Sequence, residues 1–127
     1  MEVPLENKRN VAIIAHGGAG KTTLARAMLF NSSQISLKPT GDAPFDGDPE
    51  EQKRKMTIFP SVCRYQWQGH SVNLIDTPGY SNFVPAARIS LRAAGGAVVI
   101  LSAISGVKVQ TEKVWEYADE NELPRIV

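Results

Sequence analysis

The sequence predicts an α/β fold: a mostly parallel sheet, with one antiparallel edge strand, lying between helices on both faces. Three observations predict it. Short apolar runs alternate with helix-like stretches along 127 residues, in the order β-α-β-β-α-β-α-β. The first apolar run passes straight into a glycine-rich turn and then a helix. Two later runs, "SVCRYQW" and "SVNLID", flank "QGH" as the arms of a hairpin, which supplies the antiparallel pair.

Each element follows from local pattern. Asn10 to Ala15, "NVAIIA", is too short for a helix and abuts a glycine-rich turn, so it reads as a buried strand. Lys21 to Phe30, "KTTLARAMLF", suits an amphipathic helix, with Leu24, Ala27 and Met28 on one face and Ala25 and Leu29 beside them. From Asn31 to about Pro60 the chain is polar and broken by Pro39, Gly41, Pro44, Gly47 and Pro49. A connection of that length with no clear element of its own is usually functional or mobile. Its acidic "DGDPEE" lacks the turn glycine and terminal glutamate of an EF-hand and reads as a solvated loop. After the hairpin, with His70 in its turn, come a loop "TPGYSNFVP", a helix "AARISLRAA" and an apolar strand "GGAVVILSA". Thr111 to Asn121 carries Val114, Trp115 and Ala118 at helical spacing, and "PRIV" begins a further strand. Trp67 and Trp115 read as packing residues, and Cys63 as a half-buried strand residue with no flanking base.

Bulk properties exclude several functions. Lys+Arg is 14 and Asp+Glu is 13, a net charge of +1, which argues against electrostatic coating of nucleic acid. No sequence-specific nucleic-acid reader is expected. One cysteine allows no internal disulfide, and two histidines with it make no metal site. The charged amino terminus resembles no signal peptide, and no apolar run approaches the ~18 residues of a membrane span. The expectation is a cytoplasmic domain without membrane contact.

The chemistry lies in "HGGAGKTT" (16–23). The phosphate-loop pattern is a strand, G-x-x-x-x-G-K-[ST], then a helix; here the first glycine is Ala15. Successive N–H groups around Gly18 to Lys21 can curl about a phosphate, where larger side chains would obstruct it. The following helix points its positive end at the same anion. His16, Gly17, Gly18, Ala19, Gly20, Lys21, Thr22 and Thr23 are therefore the candidate nucleotide-binding residues. Lys21 would neutralise the β- and γ-phosphates, and the Thr22 hydroxyl would ligate Mg²⁺. The fold class narrows to the three-layer sandwich of the P-loop NTPases.

Two further segments complete the candidate site. "VNLIDTPG" ends a strand with Asp76, where Mg²⁺ needs a second contact. In that D-x-x-G the Gly79 amide can bond a γ-phosphate and release it after hydrolysis. "EEQKRKMTI" brings Thr57 to the start of the hairpin, where its hydroxyl could reach Mg²⁺ and its amide the γ-phosphate. The candidate metal ligands are Thr22, Thr57 and Asp76.

"RNVAIIAH" with "GKTT", "EEQKRKMTI", "NLIDTPG", "GGAVVILSAISGVKVQTEKVWEYA" and "LPRIV" resemble, in order and spacing, the GTPase domain of translation factors of the elongation factor G branch. The resemblance covers nearly the whole chain. It implies a ribosome-associated GTPase binding GTP or GDP with Mg²⁺, in which Thr57 belongs to the first switch and Asp76 and Gly79 to the second. Three departures bear on it. The family histidine that positions the attacking water is Tyr80 here, and a phenol is a poor base at neutral pH, although its hydroxyl could still orient a water. Tyr80 and Lys21 are thus the catalytic candidates, and hydrolysis is expected to be slow. Typical members carry aspartate where Gly18 stands; glycine and tyrosine occur together in the atypical paralogues. The guanine-reading N-K-x-D, which the family places just beyond "LPRIV", does not occur before Val127.

The chain therefore reads as residues 1–127 of a larger GTPase domain, incomplete at its C-terminus and binding polyphosphate weakly. An open sheet edge in such a fragment invites self-association. Two alternatives stand beside this reading. One is a deviant P-loop ATPase, whose signature lysine is His16 here. The other is a non-hydrolysing nucleotide-binding or ribosome-docking module, which Tyr80 keeps open.

Overall fold

In the computed structural model, residues 3–32, 45 and 48–127 are described. The central strand β1 (Lys8–Ile14) begins exposed and ends buried. It pairs in parallel with β3 (His70–Asp76) on one side and with β4 (Gly96–Val99) on the other. β2 (Ser61–Trp67) runs antiparallel to β3, and β5 (Arg125–Ile126) parallel to β4. The order β2-β3-β1-β4-β5 has the one antiparallel edge that the hairpin pattern predicts. From β1 the sheet builds outward in both directions. The carboxyl end of β1 is consequently a point where strand order reverses, the place where open α/β sheets hold ligands.

Strand alternation sends β1 side chains to two cores. Ile13 packs with Ala25 and Leu29 of α1 (Lys21–Asn31), with Phe45, and with Cys63, Tyr65 and Leu74 of the hairpin. Ala12 and Ile14 pack on the opposite face, against Val84, Ala87 and Leu91 of α3 (Val84–Leu91) and Val114 and Ala118 of α4 (Val109–Glu120). Helices on both faces of one sheet give the three layers expected.

Several expectations change. The buried stripe of α1 is Lys21, Ala25 and Leu29, whereas Leu24 is exposed and Ala27 and Met28 are half-buried. The phosphate loop turns Lys21 inward, and positions one and two turns later follow it. The polar segment does contain an element, α2 (Pro49–Arg54). Asp48 caps it, accepting from the Glu50 N–H at 2.8 Å, and Pro49 opens its first turn. The sequence "DPEE" carries that capping signal, so part of the acidic stretch is a helix start and not a solvated loop. Residues 33–44 and 46–47 of the segment lie outside the described residues.

The hairpin turn is Gln68–Gly69, with φ of 46° and 78°, a two-residue turn that leaves His70 as the first residue of β3. β4 is shorter than the apolar run: after Val99 only the Ile100 N–H still reaches β1, at Ile14 O, before Ser102 and Gly106 close a small turn. α3 starts at Val84, ahead of the expected Ala86, with Pro85 in its first turn. The tryptophans are not core residues. Trp67 is 51% and Trp115 39% exposed, the latter beneath the Arg125 guanidinium at 4.3 Å. Among the described residues no helix is long and apolar enough to cross a membrane.

Candidate functional site

The loop between β1 and α1 leaves the sheet at the strand-order reversal. Gly18 and Gly20 hold φ of 79° and 101°, left-handed values that strain residues with a Cβ. Gly17 is crowded instead by a neighbouring side chain. A Cβ there would lie 2.7 Å from Cδ1 and Cε1 of Tyr80, whose ring rests on the loop. The Tyr80 hydroxyl extends toward Gly18, 4.0 Å from where a Cβ would stand. Gly18 and Tyr80 are therefore neighbours: a longer residue at position 18 would meet the phenol.

Lys21 opens α1 and is almost fully buried. Its ammonium donates to His16 O at 3.0 Å and lies against Gly79, where an added Cβ would collide with it. Burial pushes the Lys21 pKa down, opposed by the Asp76 carboxylate. A desolvated ammonium with one carbonyl partner is well suited to receive an anion.

Asp76 ends β3 with no exposed surface. Its Oδ2 accepts from the Thr22 hydroxyl at 2.6 Å, and Thr22 Oγ1 lies 3.1 Å from Thr57 Oγ1. Three residues separated by 35 and 54 positions thus bring their oxygens together at the first turn of α1. An all-oxygen set of one carboxylate and two hydroxyls fits Mg²⁺, which takes few protein ligands and keeps its waters. No group of three or more His, Cys, Asp or Glu suited to a metal occurs among the described residues. Thr77 then ties the second loop to β1, its hydroxyl donating to Ile13 O at 2.7 Å.

The remaining candidates divide. Ala19 is half-buried in the loop, and Thr23 is exposed beside the oxygen cluster, outside it. The His16 side chain is 2% exposed and turned away, its Nε2 at 2.8 Å from the Ser105 hydroxyl. Burial, with Lys108 and Lys21 nearby, holds its imidazole pKa below the ordinary value. It is the His16 carbonyl that serves the loop. Sequence reasoning missed Ser105, which carries no local signal, and Glu51, which the "DPEE" capping pattern could have flagged.

One prediction follows from the Tyr80 packing. Gly17→Ala should swing the Tyr80 ring off the loop and leave the fold intact, because the obstacle is a partly exposed side chain. The tyrosine ring resonances should shift strongly, with stability lowered by no more than about 1 kcal/mol. Unmoved Tyr80 resonances would contradict the stacking.

Comparison with known proteins identifies the family. The elongation factor Tu GTP binding domain family matches residues 6–127. The chain is 42% identical over 128 residues to the mitochondrial ribosome-releasing factor 2 of Scheffersomyces stipitis, covering 98% of this chain and 15% of that protein. It is 40% identical over 126 residues to elongation factor G 2 of Streptomyces coelicolor, covering 97% of this chain and 18% of the relative. A crystal structure of a Thermus thermophilus protein superposes with a TM-score of 0.87 at 38% identity, covering 94% of this chain and 18% of that one. The chain spans less than a fifth of the length of each. Matched from residue 6 to residue 127, the chain belongs to the elongation factor Tu GTP binding domain family.

Proposed function

We propose that the chain is the phosphate- and Mg²⁺-binding part of the GTPase domain of an elongation factor G-like translation factor. The parent binds GTP and GDP in the cytoplasm and hydrolyses GTP on the ribosome, its nucleotide state controlling that association. The observation that carries this reading is the meeting of Thr22, Thr57 and Asp76 oxygens beside the buried Lys21. Residues 1–127 form the amino-terminal portion of that domain. They contain no N-K-x-D, so the isolated chain should hold nucleotide weakly and discriminate guanine poorly.

Each residue has a role in this reading. The backbone of residues 16–20, with the start of α1, cradles the phosphates; Lys21 neutralises them as charge builds on the leaving oxygens. Thr22, Thr57 and Asp76 would hold Mg²⁺, which when bound supplies positive charge at the β- and γ-oxygens. The Gly79 N–H bonds the γ-phosphate, and Tyr80 orients the attacking water through its hydroxyl. Contact with the ribosome is made by the parent, without membrane association or sequence-specific nucleic-acid reading by this domain; the isolated fragment could self-associate through its open sheet edge.

The alternative of a non-hydrolysing module is not favoured by the family match over residues 6–127. Single-turnover phosphate release from GTP by the full-length parent, with and without ribosomes, separates the two. Release supports the enzyme; GTP bound without release supports the docking module. Within the site, Thr22→Ala should weaken Mg²⁺-dependent GTP binding about 10- to 100-fold, since it removes an oxygen bonded to a carboxylate. Calorimetric titration at fixed Mg²⁺ would show an unchanged affinity if Thr22 were not a ligand.

A further inference from the structure

We propose that Glu51 is a positioning residue that fixes Thr57 beside Thr22 and Asp76. Of the three cluster residues, Thr22 is carried by a helix and Asp76 by a strand. Thr57 lies in the irregular stretch between α2 and β2, yet it is buried and reaches Thr22. Glu51 anchors that stretch. Its Oε1 accepts the N–H groups of Ile58 at 2.8 Å and Phe59 at 3.0 Å. Its main-chain carbonyl accepts the N–H of Met56 at 3.2 Å. Residues on both sides of Thr57 are thereby tied to one residue.

The anchor is itself fixed. Glu51 Oε2 faces the Asp48 N–H at 3.4 Å, closing the reciprocal cap of α2. A capping glutamate needs only that contact and can remain in solvent. Glu51 is instead 5% exposed, and a carboxylate so deep is tolerable only with donors around it. Here the donors are backbone amides flanking Thr57, so burying Glu51 and placing Thr57 are one event. Loss of the carboxylate would release the loop while the Thr22–Asp76 bond, made between regular elements, persists.

The inference rests on reading Thr57 as a cation ligand, and its test separates the two. Amide exchange at Ile58 and Phe59 is measured without nucleotide, and the Mg²⁺ concentration for half-maximal GTP binding is measured separately. In the chain carrying Glu51→Ala, both amides should exchange at least about 10-fold faster, as expected for loss of bonds to a charged acceptor. The β1 amides should be unaffected. The Mg²⁺ requirement should rise as it does in Thr57→Ala, with no further rise when both are combined. Glu51→Gln keeps an acceptor oxygen for the two amides and should preserve their protection while weakening the cap of α2.

Unchanged exchange in Glu51→Ala, or exchange in Glu51→Gln as fast as in Glu51→Ala, overturns the inference. So does a raised Mg²⁺ requirement in Thr57→Ala that Glu51→Ala fails to reproduce. Fast amides with an unaltered Mg²⁺ requirement in both Glu51→Ala and Thr57→Ala overturn the ligand role of Thr57, and leave Glu51 as the anchor of its loop.

Discussion

Tyr80→His in the full-length parent should speed ribosome-stimulated GTP hydrolysis by roughly 10²-fold or more, the scale of a positioned acid–base group. An imidazole exchanges protons near neutral pH, whereas a phenol there remains a donor with little basicity. The structure adds a steric argument. The Tyr80 ring lies on Gly17, and its hydroxyl is directed along the loop toward Gly18. A histidine is shorter and would leave that packing, freeing its ring to approach a water. The rate of single-turnover phosphate release should rise while nucleotide affinity changes little, because the effect falls on the transition state. Tyr80→Phe completes the test: it should slow release if the hydroxyl orients water, and change nothing if the ring only packs. A Tyr80 enzyme already as fast on ribosomes as its Tyr80→His variant would overturn the assignment of Tyr80 as the weak point.

Gly79→Ala should be the most damaging substitution of a single methyl group in the site. An alanine Cβ would lie 2.6 Å from Ala15 O and 2.7 Å from the His16 carbonyl carbon, besides colliding with Lys21 Nζ. The lysine could move, but only by abandoning its place in the phosphate loop. The two backbone atoms belong to the buried residues that directly follow β1, which cannot shift without disturbing the phosphate loop. Nor can the second loop lift freely, since Thr77, two residues earlier, is bonded to Ile13 O. The expected result is a loss of about 1–3 kcal/mol in denaturant unfolding, the range for overpacking. Nucleotide binding should fall with it. Gly17→Ala, whose obstacle is a movable ring, provides the contrast. Equal, small effects at both positions would show that the second loop does not dock as described.

Much of this site is written in consecutive residues. A strand, three glycines, a lysine and a threonine specify a loop whose geometry depends on nearest neighbours, and the structure gives Gly18 and Gly20 the left-handed values such a loop requires. The strand aspartate and the hairpin were legible for the same reason, as runs of alternating or continuous apolar residues ended by turn signals. α2 is equally legible in "DPEE", as an aspartate cap, a proline in the first turn and two glutamates behind it.

Other features had no local trace. The inward face of α1 depended on the loop turning Lys21 toward the core, so hydrophobicity alone chose the wrong stripe. The His16–Ser105 bond spans 89 positions, and no periodicity relates residues so far apart. Trp115 lies partly exposed beneath Arg125, another pairing that helical spacing does not reveal.

The sequence by itself determined the phosphate loop, the order of strands and helices and the three oxygen-bearing residues, because each follows from backbone preferences and apolar patterning over a few neighbouring positions. Only the tertiary structure decided how those oxygens are held. Tyr80 rests on Gly17, Gly79 lies against Ala15 and His16 just beyond β1, and Glu51 grips both sides of Thr57. Those are matters of space and of unpaired backbone groups meeting across the fold, and they come into being only when distant segments pack together.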